Sequence, residues 1–276
     1  MLLKNRNISI LGCGWLGLAL GEELAEQGYF VKGSTTTQAK MKKLVERGII
    51  PFLIQFDPKP KGHDLHRFLQ SQVLIISIPP QTGIKGNMHH PNQIWEITKY
   101  FQSSEIEKVI YISSTSVYPE VEREVTEDEV LTTENTPGIA LLQAEEILKN
   151  KENIQLTILR CGGLMGYDRI PGKYFNGRKG LKTAKIPVNF IHRDDVIGII
   201  IQIIQQEKWG EIFNVVAPKH PVRRDVYRAN AREFGFQEPE YVLAEPKGFK
   251  IVNSDKVIRA LNYEFKYPDP LYFRYS

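Results

Sequence analysis

The sequence predicts an α/β fold, a doubly wound and mostly parallel sheet with helices on both faces. Three observations predict it. Apolar runs of strand length alternate with stretches of helical period. The first apolar run ends in a glycine turn that opens a helix. Beyond Arg160 the alternation weakens into loops, which predicts a small C-terminal lobe.

Taken in order, strands are expected at residues 8–11, 29–33, 49–54, 73–78, 109–113, 156–159 and 212–216. Helices are expected between them at 15–27, 39–47, 65–70, 91–101, 139–149 and 194–205. Runs without polar alternation, such as Val73-Leu74-Ile75-Ile76, suit strands buried on both faces. Past Arg160, the residues Pro171, Gly172, Gly177, Gly180 and Pro187 mark long loops, and one further helix is expected at 222–234. The expected division is a nucleotide-binding domain over 1–160 and a mixed region over 161–276. Sheet elements return at about 189–217 within that second region.

The glycine turn reads Gly12-Cys13-Gly14-Trp15-Leu16-Gly17 after the apolar run Ile8-Ser9-Ile10-Leu11. Leu16, Leu20 and Leu24 then recur at helical spacing, and Gly28 stands where that helix would stop. A strand, a G-x-G-x-x-G turn and a helix in this order form the Rossmann dinucleotide-binding fingerprint. Gly12 permits the tight turn, Gly14 lets a pyrophosphate approach the backbone, and Gly17 lets the helix pack closely. The helix start at Trp15, Leu16 and Gly17 offers amides and partial positive charge to phosphates.

Composition narrows the alternatives. Hydrophobic residues make up 42% and charged residues 25% of the 276, with a net charge of +4 and no long basic run. Nucleic acid is not implied. The apolar run at 196–204 is too short to span a membrane. Met1-Leu2-Leu3-Lys4 followed by apolar residues mimics a secretory signal, but the early glycines and Glu22-Glu23 oppose that reading. Cys13 and Cys161, the only cysteines, have no metal-ligand spacing and read as free thiols. A cytoplasmic protein without a metal is the expectation.

Cofactor type is read where the second strand ends, at Gly33-Ser34-Thr35-Thr36-Thr37. An acid there would take a ribose 2′-hydroxyl. Here Lys32 and Lys40 are near and no acid stands between Gly33 and Glu46, so NADP is favoured over NAD. The threonines are also good caps for the next helix, and that alternative stays open.

Several segments together resemble a known superfamily. They are residues 12–17, Ser113-Ser114-Thr115-Ser116-Val117-Tyr118, Leu159-Arg160, Phe190-Ile191-His192-Arg193-Asp194-Asp195-Val196 and Phe213-Asn214-Val215. In this order they resemble an extended short-chain dehydrogenase/reductase of the NAD-dependent epimerase/dehydratase type. The resemblance implies a small C-terminal substrate lobe and a polar small-molecule substrate, commonly a nucleotide sugar in the family. It implies that Asp57 accepts a hydrogen bond from the adenine amino group, and that Ser77, Ile78 and Pro79 pass the cofactor ribose. It also implies that Ser114, or Ser116 or Thr115 beside it, orients the reacting oxygen. Each assignment has a plain counterpart: Asp57 as a turn residue, Pro79-Pro80 as a strand stop, the serines as partners of backbone groups.

One departure stands out. Members carry a Tyr-x-x-x-Lys pair followed by a glutamate, and registering on Glu145 places Pro137 and Leu141 in those positions. Neither can move a proton. Tyr118 is the nearest substitute phenol, with Tyr167 and Tyr174 in the later loops. Asp195 is expected to cap or brace its helix, and His192 and Arg193 to face the substrate lobe. Arg169, Lys173, Arg178 and Lys179 form a basic loop set, and His89-His90 reads as loop. Two functions follow: an NAD(P)-dependent oxidoreductase or epimerase, which the serine segment favours, or a non-catalytic NAD(P)-binding sensor, which the lost pair favours. Apolar positions on helices 91–101 and 139–149 suggest that these pair across a two-fold axis in a homodimer.

Overall fold

The computed structural model describes residues 7–62 and 64–275, so the signal-like start at Met1-Leu2-Leu3-Lys4 lies outside the described residues. In chain order the strands are β1 (Asn7–Leu11), β2 (Phe30–Thr35), β3 (Ile50–Phe56), β4 (Pro60–Gly62), β5 (Val73–Ile76), β6 (Lys108–Ser114), β7 (Glu124–Val125), β8 (Gln155–Cys161), β9 (Gly163–Met165), β10 (Phe190–His192), β11 (Ile212–Val215) and β12 (Ile251–Val252). The helices are α1 (Trp15–Glu26), α2 (Gln38–Glu46), α3 (Leu65–Leu69), α4 (Thr82–Lys85), α5 (His89–Thr98), α6 (Ile139–Lys149), α7 (Arg193–Gln206), α8 (Arg223–Phe234) and α9 (Asp255–Leu261).

Eight strands form one mostly parallel sheet in the order β11-β8-β6-β5-β1-β2-β3-β4, with β4 antiparallel at its edge. The chain steps outward from β1 through β2 to β3, then returns to the other side of β1 for β5 and β6. Right-handed crossovers therefore put α1 and α2 on one face and α5 and α6 on the other. The order reverses between β1 and β5, whose register pairs Ile8 with Val73 and Leu11 with Ile76. Ligands bind at such a switch point, beyond the carboxyl ends of the strands. All four β5 side chains are fully buried, as expected for a strand covered on both faces.

The chain divides into two compact units, Met1–Ser113 with Gly138–Leu159 and Ile201–Ile212, and Ser114–Pro137 with Arg160–Ile200 and Phe213–Ser276. The sequence expectation is a division at residue 160 with sheet elements returning at about 189–217. In the second unit, Ile170, Ala217, Phe273 and Tyr275 form one apolar cluster, and Val188, Val226 and Tyr227 another. That unit also holds two short parallel pairs, β9 with β10 and β7 with β12. Helix α8 ends on Gly235 in left-handed backbone at φ 71°, a conformation glycine adopts without strain.

The two helices expected to pair across a two-fold axis are α5 and α6. Helices α5 and α6 pack against each other within one chain, and Ile94, Ile97, Leu142 and Leu148 are buried. Trp95 stays exposed, with Lys151 Nζ 4.5 Å from its ring centroid. Among the described residues no helix is long and apolar enough to cross a membrane.

Candidate functional site

The first unit holds a cavity of about 310 Å³ at the switch point. Gly12, Cys13 and Gly14 line it from the end of β1, Ser34, Thr35 and Thr36 from β2, Asp57 from β3, and Ser77, Ile78 and Pro79 from β5. These are ten residues that the sequence assigned, or placed inside the glycine turn. Its size lies at the lower end of the range for small-molecule sites, about 300–1,000 Å³.

The turn is built to be bare. Gly12 has φ 101°, and a Cβ there would lie 2.7 Å from the Ser77 carbonyl oxygen. A Cβ on Gly17 would collide with the Gly12 carbonyl oxygen, so α1 packs directly on the turn. Gly14 faces open space, with nothing within 4 Å of a Cβ built on it. No side chain caps α1, and its first turn holds no acid. The helix therefore presents its positive end without a competing carboxylate. Leu16 is buried under the turn and Trp15 half-buried beside it, so neither lines the cavity.

Ser34 has a second task. Its Oγ accepts the Gly12 amide at 2.8 Å, and its carbonyl accepts from Cys13 at 2.9 Å. Thr35 is buried, while Thr36 and Lys40 are exposed at the rim. Lys32 departs from the sequence reading. It is buried, its ammonium donates to the carbonyls of Arg67, at 2.9 Å, and Gln70, and it lines a different cavity of about 230 Å³. Its place early in β2 sets it away from the strand's carboxyl end. Lys40 alone of that pair reaches the glycine-turn cavity.

Sequence reasoning missed Gln81, Lys85, His89 and Gln93, which complete the cavity wall. Lys85 Nζ lies 2.7 Å from Asp57 Oδ1 and holds that carboxyl below the usual carboxylate range. His89 and His90 begin α5 rather than a loop. His90 is fully buried, and its Nε2 lies 2.7 Å from the Tyr111 hydroxyl. Its Nδ1–H is thus directed to Gln93 Oε1 at 3.4 Å, and Gln93 Nε2 donates to the Phe56 carbonyl at 2.6 Å. Burial pushes the His90 pKa down to about 4, so the ring is neutral at pH 7. Cys13 and Cys161 are buried free thiols, each pushed up to about 12 by desolvation.

The serine segment begins where β6 ends. Ser113 donates to Glu145 Oε1 at 2.6 Å, and both are buried. Leu141, one helical turn before Glu145, is buried in α6. In the second unit, Ser114 and Ser116 are half-buried, and Ser114 Oγ accepts the Ser116 amide at 3.2 Å, capping the short turn Thr115–Val117.

Tyr118 does not suit the substitute-acid role that the sequence offered it. Its side chain is fully buried, donates to Asn214 Oδ1 at 2.7 Å and accepts from Arg160 at 2.9 Å. Burial pushes its phenol up to about 12 although Arg160 acts in the opposite direction. Tyr167 is also engaged, donating to Asp194 at 3.0 Å with the Arg193 guanidinium 3.9 Å from its ring centroid. Tyr174 remains 54% exposed. Asp195 braces residues 263–267 by accepting from Tyr263 at 3.0 Å, Lys266 N at 2.7 Å and Tyr267 N at 3.0 Å. His192 is fully buried, with its ring centroid 3.9 Å from that of Tyr267. In the basic loop set, Lys179 pairs with Glu240 at 2.9 Å and Arg178 lies over Phe175.

Comparison with known proteins agrees with this architecture. A protein named YeeZ from Escherichia coli strain K12 is 33% identical over 270 residues, covering 96% of this chain and 98% of that protein. The structure of MoeE5 in complex with UDP-glucuronic acid and NAD is similar at a TM-score of 0.75 and 14% identity, over 97% of both chains. A short-chain dehydrogenase/reductase superfamily protein from Agrobacterium tumefaciens with bound NAD gives a TM-score of 0.75 at 15% identity, over 96% of this chain and 94% of that one. Residues 8–216, the span that carries the glycine turn, the serine segment and β11, match the NAD dependent epimerase/dehydratase family, and the chain belongs to it.

Proposed function

We propose that the chain binds a nicotinamide dinucleotide in the first unit's cavity and uses it in an oxidoreductase or epimerase reaction on a polar small molecule. The observation that carries this reading is the bare glycine turn opening on an uncapped helix at the switch point. Gly12, Gly14 and the start of α1 would hold the diphosphate. Ser34, Thr35, Thr36 and Lys40 would take the adenosine ribose, Asp57 the adenine, and Ser77, Ile78 and Pro79 the second ribose. When bound, the cofactor supplies hydride transfer. Ser114, with Ser116 beside it, orients the substrate oxygen that is oxidised or reduced.

NADP is preferred. The lining has lysines at Lys40 and Lys85 and a single carboxylate, Asp57, which Lys85 neutralises. No carboxylate ends β2 to repel a 2′-phosphate. Three of the similar structures carry NAD, so the preference rests on the side chains of this chain. Fluorescence titration with both dinucleotides tests it: NADP binds tighter, Lys40→Glu removes the difference, and tighter binding of NAD overturns it. Nucleotide sugars are the substrate class to screen first, because MoeE5 was solved with UDP-glucuronic acid and with UDP-glucose. Turnover followed at the reduced-nicotinamide absorbance, lost in Ser114→Ala, supports an enzyme.

A second reading is favoured by Leu141, Pro137 and the buried Tyr118. With leucine and proline in the proton-transfer register and the nearest phenol occupied, the chain would act as a non-catalytic NAD(P)-binding sensor. Dinucleotide binding without turnover across the screen selects it.

A further inference from the structure

Among the described residues Asp57 is the sole carboxylate lining the glycine-turn cavity, and two lysines and a histidine surround it. Lys85 Nζ lies at 2.7 Å, Lys61 Nζ at 3.7 Å and His89 Nε2 at 3.8 Å. Lys85 ends α4, a single turn of helix in which no residue is buried and Ile84 is 87% exposed. Left-handed backbone brackets that turn, at Gln81 with φ 52° and at Gly86 with φ 79°. Gln81, Lys85 and His89 all line the cavity, so α4 is a piece of its wall with a bend at each end. The Lys85–Asp57 pair is open to water, and such pairs are easily exchanged.

We propose that Lys85 is a cofactor-binding residue that changes partner. In this structure it neutralises Asp57; in the dinucleotide complex the adenine amino group takes Asp57 and the Lys85 ammonium moves to a phosphate oxygen. The proposal rests on the dinucleotide reading given above. Its basis is charge. A dinucleotide brings at least two negative charges to a lining whose lysines are Lys40 and Lys85, one of them cancelled by Asp57. Exchange pairs the amine with the carboxylate and the ammonium with phosphate, both charge-assisted bonds. It also draws α4 over the ligand, because Lys85 ties that turn to the cavity.

The test compares wild type with Lys85→Met and, as a control beside Asp57 but outside the lining, Lys61→Met. Binding of NADP is followed by tryptophan fluorescence at two salt concentrations, and trypsin cleavage after Lys85 is followed with and without NADP. Lys85→Met is expected to bind roughly ten-fold more weakly, the equivalent of one charge-assisted hydrogen bond, with a flatter salt dependence. Lys61→Met stays at wild-type affinity, and NADP slows cleavage after Lys85. If wild type binds but Lys85→Met binds equally well or tighter, the exchange is overturned and Lys85 only locks Asp57. Cleavage unchanged by NADP overturns the closure of α4. Wild type binding neither NADP nor NAD overturns the dinucleotide reading and the exchange together.

Discussion

Ser34 Oγ accepts the Gly12 amide at 2.8 Å, a bond that fastens the glycine turn to the end of β2. Ser34→Ala removes the acceptor and leaves the Gly12 N–H without it, in a turn that must stay bare to receive phosphates. Losing such a partner costs about 1–3 kcal/mol when the stranded group is away from water. The urea midpoint is expected to fall and dinucleotide affinity to fall with it. Unchanged affinity in Ser34→Ala would show that the turn holds its shape without the clamp.

Gly17 and Gly14 separate packing from binding. In Gly17→Ala the new methyl collides with the Gly12 carbonyl oxygen, a backbone atom that cannot rotate aside. Overpacking of this kind costs about 1–3 kcal/mol, and α1 is pushed off the turn, so stability and binding both drop. Gly14→Ala meets nothing within 4 Å, although a backbone at φ −86° and ψ −146° lies outside the regions alanine prefers. Stability should fall by about 1 kcal/mol from backbone strain alone, with no clash to add to it. The methyl also stands where phosphate must approach, so affinity is lost by far more than the small drop in stability accounts for.

The sheet was legible because its signal is local. Val73-Leu74-Ile75-Ile76 is a strand on composition alone, and it lies fully buried. The pairs formed by β7, β9, β10 and β12 have two or three residues each, too short for periodicity to register. Ser34 was found as a cavity residue, but its bond to Gly12 spans 22 positions, and nothing local announces it. Lys32 was misplaced because its distance along β2 mattered more than its charge; its ammonium serves carbonyls beside α3. Lys85 stands 28 positions from Asp57, and only the fold brings them together. Tyr118 looked available from its neighbours in sequence, whereas Arg160 and Asn214, 42 and 96 positions away, occupy its hydroxyl.

Tyr118→Phe tests whether that phenol moves protons. Its hydroxyl joins Arg160 to Asn214 inside the second unit, and removal leaves both without that partner. A loss of about 1–3 kcal/mol is expected in urea unfolding. Any turnover found for the wild type should keep the shape of its pH profile, because a buried phenol pushed up to about 12 does not titrate in the working range. A variant of normal stability with turnover abolished would return Tyr118 to catalysis.

His90 makes the first unit acid-sensitive in a defined window. Burial pushes its pKa down to about 4, while the unfolded ring keeps a value near 6.5. Between those values the unfolded chain binds the proton and the folded chain does not. The folded state therefore has its full stability above about pH 6.5 and loses it as the pH falls toward 4. A fall from near 6.5 to about 4 corresponds to a loss on the order of 3 kcal/mol, complete below the folded value. Burial also lowers His192 and His220, which act with the same sign in the second unit. Chemical denaturation from pH 7.5 to 4 is thus expected to show stability falling with acid in wild type and falling less steeply in His90→Gln. Glutamine can still accept the Tyr111 hydroxyl but binds no proton, so an equal slope in both proteins would place the acid sensitivity elsewhere.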